Sequence, residues 1–243
     1  MLTLKEVLTT LKEKKGYEVN LKGLVVLTRE QIGEMISADF NQALVCYEEG
    51  ILESAFEQAD GEVFDAIANL KKQLLAPVDI IFHLQYILNP KLQFSYKENV
   101  YRDIVTLGEK ILNSKADKTE ILEAMASGLV SHYLKIKEME KEDLKMVEGV
   151  KYCEAYLSKD REIAYTLLGY YLSGRKYYRY NGRKFLTVPP LYDYLMAAQC
   201  FGRFSKDIDT NVLFKAWLYY LGYDKIVEKW NELVVDLDAP VKY

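Results

Sequence analysis

Apolar residues return at three- and four-residue spacing along most of this chain, and that period restricts it to a mainly α-helical fold. Leu2, Leu4, Val7, Leu8 and Leu11 mark a first short amphipathic helix ending near Lys15-Gly16. Thr28-x-x-Gln31 is a capping-box pattern. It opens a run through Phe40, Leu44, Tyr47, Ile51, Leu52 and Phe56, read as one long helix or two with Gly33 and Gly50 as weak points. Asp60-Gly61 restarts a helix to Leu75, and Pro77 suits the first turn of the next, which ends at Asn89-Pro90. Ser95-x-x-Glu98 predicts a further helix start, and Asp117-x-x-Glu120 another that runs to Ile136. A helix from about Glu142 reaches Tyr156, and Asp160 caps one that reaches Leu172. Pro189-Pro190 then launches Leu191 to Phe204, Asp209 caps a helix to Leu221, and Gly222 separates it from Tyr223 to Val235. The expectation is an array or bundle of about nine or ten helices in antiparallel pairs. Residues 1–243 would form a single domain, with 89–95 as the place where it would subdivide.

Two stretches break the helical period. Tyr17, Val19 and Leu21 alternate with Glu18, Asn20 and Lys22, which predicts a short strand near 17–27. Between residues 175 and 188 the chain turns basic and tyrosine-rich, and Asn181-Gly182 is the dipeptide that most readily supplies two successive positive φ angles. A β-hairpin with a two-residue type I′ turn follows. Counting outward from that turn sets Tyr180 opposite Arg183, Arg179 opposite Lys184, Tyr178 opposite Phe185 and Tyr177 opposite Leu186. One face carries Tyr178, Tyr180, Arg183 and Phe185, and the other Tyr177, Arg179, Lys184 and Leu186. Arg179 against Lys184 is a like-charge pair, so an anionic group is expected close to it.

Charge is distributed unevenly. The net charge is −4, yet no acidic residue occurs from Ile163 to Tyr192, where Arg175, Lys176, Arg179, Arg183 and Lys184 contribute +5 and leave −9 on the rest. An acidic body with one basic hairpin disfavours general adhesion to nucleic acid, which needs a broad basic face, and suits a local contact. The 20 tyrosines fit either a wet core rim or a binding surface.

Cys46, Cys153 and Cys200 are odd in number and widely spaced inside helical patterns, so they read as buried free thiols in a reducing, cytoplasmic compartment. The N-terminal leucines alternate with charges where a signal peptide needs an unbroken apolar core. The most apolar stretch, Leu74 to Leu88, is too short and too polar to span a bilayer.

Catalytic and cofactor motifs are scarce, and no cofactor or metal is expected. Neither of the 2 histidines follows a glutamate by three residues, and Cys-x-x-Cys, Gly-x-Gly-x-x-Gly and P-loop patterns do not occur. Asp79 and His83 lie four apart and can meet on one helix face, as an aspartate orienting an imidazole would, but a self-satisfied polar pair is the commoner meaning. His132 reads as a packed histidine, and Glu49, Glu53 and Glu57 as a solvated helix face.

Tyr165-x-x-Leu168-Gly169 resembles the opening of the tetratricopeptide signature, and Trp217 to Gly222 resembles it with one residue extra. The second-helix positions do not follow, and no 34-residue period returns. The reading of function is a non-enzymatic helical protein-binding module, with Arg175, Lys176, Tyr178, Arg179, Tyr180, Arg183 and Lys184 as the partner-binding set. Its small, acidic, helical character resembles that of immunity proteins, which implies a basic toxin as partner. Binding of RNA or single-stranded DNA through the hairpin, and an enzyme using Asp79 and His83, are the alternatives.

Overall fold

A computed structural model describes residues 3–13, 17–20, 24–73, 75–97, 99–208 and 210–229. The chain opens with α1 (Leu4–Glu13) and a hairpin of β1 (Glu18–Asn20) and β2 (Leu24–Val26). It continues through α2 (Arg29–Ala38), α3 (Phe40–Glu48), α4 (Ile51–Ala59), α5 (Gly61–Lys72) and α6 (Pro77–Leu88). A second hairpin, β3 (Phe94–Tyr96) and β4 (Asn99–Tyr101), precedes α7 (Ile104–Leu112), α8 (Lys118–Ala126) and α9 (Leu129–Ile136). After a 3₁₀ turn at Met139–Lys141 come α10 (Leu144–Tyr156) and α11 (Arg161–Ser173). The third hairpin, β5 (Tyr178–Tyr180) and β6 (Arg183–Phe185), leads to α12 (Val188–Ala197), α13 (Phe201–Asp207) and α14 (Val212–Tyr220). A helical stretch over 224–229 closes the described chain.

The fold is mainly helical, as the apolar period requires. Besides the stretch at 224–229, fourteen α-helices lie among the described residues, more than expected, because several predicted runs are cut. Asp39 leaves the helical conformation at the end of α2 (φ −133, ψ 66) and caps α3 by accepting from Gln42 N. Gly50 takes φ +72, a left-handed conformation in which its missing Cβ removes the steric cost, and so separates α3 from α4. The run from Asp117 to Ile136 is cut likewise, at Gly128, and the run from Leu191 to Phe204 at Gln199, where φ is +50. Thr28 and Gln31 form the reciprocal capping box that their spacing predicts. Asn211 caps α14; Asp209, expected in that role, lies outside the described residues, as do 230–235 of the last predicted helix. The alternation near 17–27 produces two paired strands, with Glu18 opposite Val26 and Asn20 opposite Leu24.

The helix start predicted at Ser95 is not there. Ser95 sits in β3 opposite Val100, and Lys97 turns the chain at φ +52. The Ser95 hydroxyl is used in the interior: it lies 2.9 Å from Ser37 Oγ and donates to Gln85 Oε1, while its N–H donates to the Tyr86 hydroxyl. A side chain engaged in this way is not free to cap, and α7 begins only at Ile104. Glu98 lies outside the described residues.

Contacts divide the chain into two compact units, one of residues 1–103 and 127–142, the other of 104–126 and 143–243; residues 89–95 fall within the first. In the first unit, α1 packs on α4 and α2 on α6, and Phe82, Tyr86, Phe94 and Tyr133 make an aromatic centre with ring separations of 5.0 to 6.1 Å. Asp60 is buried at the start of α5, where it caps Val63 N and accepts from Arg29 and the Tyr17 hydroxyl. Burial alone would raise its carboxyl, but these donors together hold it below the usual carboxylate range.

In the second unit α11 is the central helix and packs against α7, α10 and α14. Its crossing with α7 is close because both partners carry glycine at the contact. A Cβ on Gly108 would lie 2.4 Å from Ser173 N, and one on Gly169 would lie 2.8 Å from Ile111 Cγ2. The Leu168-Gly169 pair that resembles a repeat signature is therefore a packing device between these two helices.

Candidate functional site

The basic hairpin grows out of the end of α11. Gly174 ends that helix at φ +62, and the Ser173 hydroxyl, which donates to Gly169 O, accepts from Arg175 N as the chain leaves. Asn181 and Gly182 both take positive φ, at +46 and +79, which is the type I′ geometry their sequence demands. The register is the expected one: Tyr178 opposite Phe185, Arg179 opposite Lys184, Tyr180 opposite Arg183.

The two faces have different fates. On the inner face Tyr178 is buried, with its ring stacked on Trp217 at 5.5 Å and edge-on to Phe214 at 5.3 Å. Asn211 Nδ2 donates to its hydroxyl at 2.8 Å; burial raises the phenol and this hydrogen bond opposes the rise. Phe185 lies on Tyr194, Tyr180 is edge-on to Phe204, and Trp217 Nε1 donates to Lys176 O. Tyr178 therefore cannot touch a partner, which corrects its place in the predicted binding set. The inner face supplies the apolar area that holds the hairpin onto α12, α13 and α14.

The outer face is cationic. Arg179 and Lys184 are exposed on it, as is Lys176 just before β5, while Arg183, on the inner face by register, is exposed at its rim. The half-buried Tyr177 ring lies between three cations: Lys184 Nζ at 4.5 Å from its centroid, the Arg175 guanidinium at 4.6 Å and that of Arg179 at 6.0 Å. Arg183 stands 4.7 Å over the Tyr194 ring. Within the chain, the group that meets the Arg179/Lys184 pair is thus an aromatic face; the expected anionic group is not found among the described residues. Cation–π contacts at such exposed positions stabilise by about 0.5–1 kcal/mol each and leave the positive charge in place. Among the described residues, none of the ion pairs involves Arg175, Lys176, Arg179, Arg183 or Lys184. Arg175 Nε is buried without a hydrogen-bond partner there.

Other candidate residues are placed elsewhere. His83 on α6 packs its ring 3.8 Å from that of His132 on α9, and no hydrogen bond or ion pair joins it to Asp79 among the described residues. Burial lowers the pKa of both imidazoles, and His132 is pushed to about 4, with positive charge on His83 and Lys135 adding to the effect of burial. Glu49 pairs with Lys5 and Glu53 with Lys71, and Gly50 interrupts the helix between them, so the predicted carboxylate row is not one face. Cys46 and Cys153 are buried free thiols, and Cys200 is only partly covered. No group of three or more His, Cys, Asp or Glu side chains suited to a metal ion occurs among the described residues, and no helix there is long and apolar enough to cross a membrane.

Sequence reasoning missed Asn211 and Tyr194, which seat the hairpin, and on α12 the half-buried Val188 and the exposed Tyr192 and Met196. The last three were legible as an i, i+4, i+8 row that borders the buried stripe of Leu191 and Leu195. No family model, curated protein or solved structure matches this chain.

Proposed function

We propose that this protein is a non-enzymatic protein-binding module whose contact surface is the outer face of the β5–β6 hairpin, and that its partner presents carboxylates there. The observation that carries the reading is the lack of any internal acidic partner for the five cations among the described residues. A like-charge cross-strand pair is mildly destabilising by itself, and its weak contacts with the Tyr177 ring leave the charge unneutralised, so an anionic partner would add to its stability. Arginine and tyrosine are also the side chains that most often dominate interface energetics. The free thiols suit a reducing compartment, and we place the protein in the cytoplasm on that ground.

The RNA alternative would use tyrosine rings to stack bases, but Tyr177 is already engaged by three cations of its own chain, and Tyr178 is buried. The immunity-type version would place a basic toxin on the acidic remainder of the chain. Affinity capture from the source organism tests these readings together, with the natural chain and the Arg179→Gln/Lys184→Gln variant as paired baits. A stoichiometric acidic protein recovered by the first and depleted at least ~10-fold on the second is the expected result. Recovery of a basic protein equally by both would move the contact surface off the hairpin, and recovery of no stoichiometric partner would contradict the reading altogether.

A further inference from the structure

The hairpin leads directly, through β6 and the two residues after Phe185, into α12, which lines an apolar groove in the same unit. Just past the end of β6, two residues beyond the exposed Lys184, Leu186 is 62% exposed. Two residues further, Val188 opens a groove of about 510 Å³ lined by Val188 and Tyr192 of α12, Phe214 and Leu218 of α14, and Tyr223 and Ile226 beyond it. The lining is almost wholly apolar, yet Tyr192 is 50% and Ile226 56% exposed. Phe214 belongs to both features: one side of it lines the groove and its ring meets Tyr178 on the inner face of the hairpin. Groove and hairpin therefore share Phe214.

We propose that the two form one composite surface that binds an acidic, amphipathic peptide segment of a partner protein. One or two apolar side chains of the segment enter the groove, and carboxylates beside them meet Lys184 and Arg179. This rests on the protein-binding reading of the hairpin and adds the kind of segment it takes. The division of labour follows from the chemistry. Desolvated apolar anchors in a pocket supply most of the affinity, while the adjacent cations reject basic competitors, raise the encounter rate and fix which way the segment lies. A purely acidic chain has nothing to place in the groove, and a purely apolar one gains nothing from the hairpin. A second copy of this chain fits poorly, because an isologous contact brings the same cationic hairpin from both molecules to one interface.

Selection of a displayed library of random peptides, about 14 residues long, on the full chain tests this, followed by fluorescence anisotropy of the synthesised winners. The winners are expected to carry an acidic excess and a pair of Leu, Phe or Trp at three- or four-residue spacing. Tyr192→Ser/Ile226→Ser should weaken them at least ~10-fold, and so should Arg179→Glu/Lys184→Glu. Both variants alter exposed side chains, and an unchanged thermal unfolding curve confirms that each is folded. Winners weakened by the hairpin variant alone overturn the groove as part of the site and leave the hairpin reading standing. Winners weakened by neither variant, or no winners, overturn both. Neutral or basic winners overturn the charge assignment. Competition by a dT oligonucleotide, by a synthetic peptide of this chain's own residues 231–243, or by concentration-dependent self-association that Ile226→Ser abolishes would each give the groove a different occupant and overturn the proposal.

Discussion

Asn211 joins the cap of α14 to the base of the basic hairpin: its Nδ2 donates to the Tyr178 hydroxyl at 2.8 Å, and its Oδ1 accepts from Phe214 N at 3.0 Å. One amide thereby fixes both the start of a helix and the position of a strand. Removing it takes away a cap, worth about 1 kcal/mol, and leaves a mostly buried phenol without its donor, which costs about 1–3 kcal/mol. Tyr178→Phe removes the phenol oxygen, so Asn211→Ala in that background should cost only the cap. A double-mutant cycle by urea denaturation is expected to give a coupling of about 1–3 kcal/mol. Additive effects would mean that the hydrogen bond does not fix the hairpin.

The His83–His132 contact predicts a pH dependence of stability. Both imidazoles have pKa values lowered by burial, that of His132 to about 4, against an unfolded value near 6.5. A base whose folded pKa lies below its unfolded pKa favours the folded state fully above about 6.5, and the benefit is lost as pH falls towards the folded value, because the unfolded chain then binds more protons. The natural chain should lose about 1–3 kcal/mol more between pH 7 and pH 4.5 than His132→Gln does. Identical pH profiles by urea denaturation would contradict the assignment.

The close crossing of α7 and α11 predicts opposite signs at two glycines. Gly108→Ala would drive a methyl to 2.4 Å from a backbone nitrogen, and a cost of about 2–3 kcal/mol is expected. Gly202→Ala on α13, with nothing within 4 Å of the added carbon, should stabilise by about 0.4–1 kcal/mol through the unfolded chain. Thermal denaturation of the two variants reads both signs.

Much of this was legible because it is local. Hairpin register follows from two residues, Asn181 and Gly182, and the caps at Thr28, Asp117 and Asp160 follow from side chains that reach only two or three residues along the chain. What was not legible depends on distant partners. Ser95 looks like a cap until Ser37 and Gln85, far away in sequence, take its hydroxyl into the core. His83 lies four residues from Asp79, yet its ring meets His132 across 49 positions of sequence. The long helical runs were counted as too few because a break at Asp39 or Gln199 leaves the apolar period almost unchanged. At the hairpin, alternation gave the two faces but not which was buried, since both carry tyrosines; the choice was made by Trp217 and Phe214, which only the fold brings to Tyr178.

The central claim is that the outer cations of the hairpin serve a partner and not the fold. The melting temperature of Arg179→Gln/Lys184→Gln tests it most directly, because it needs no partner in hand. Loss of weak contacts with the Tyr177 ring, about 0.5–1 kcal/mol each, is offset by relief of the like-charge pair, a few tenths to about 1 kcal/mol. The account predicts a melting temperature within about 2 °C of the natural chain, or slightly above it. A fall of more than about 4 °C would show that an internal group depends on those charges, and would contradict the account.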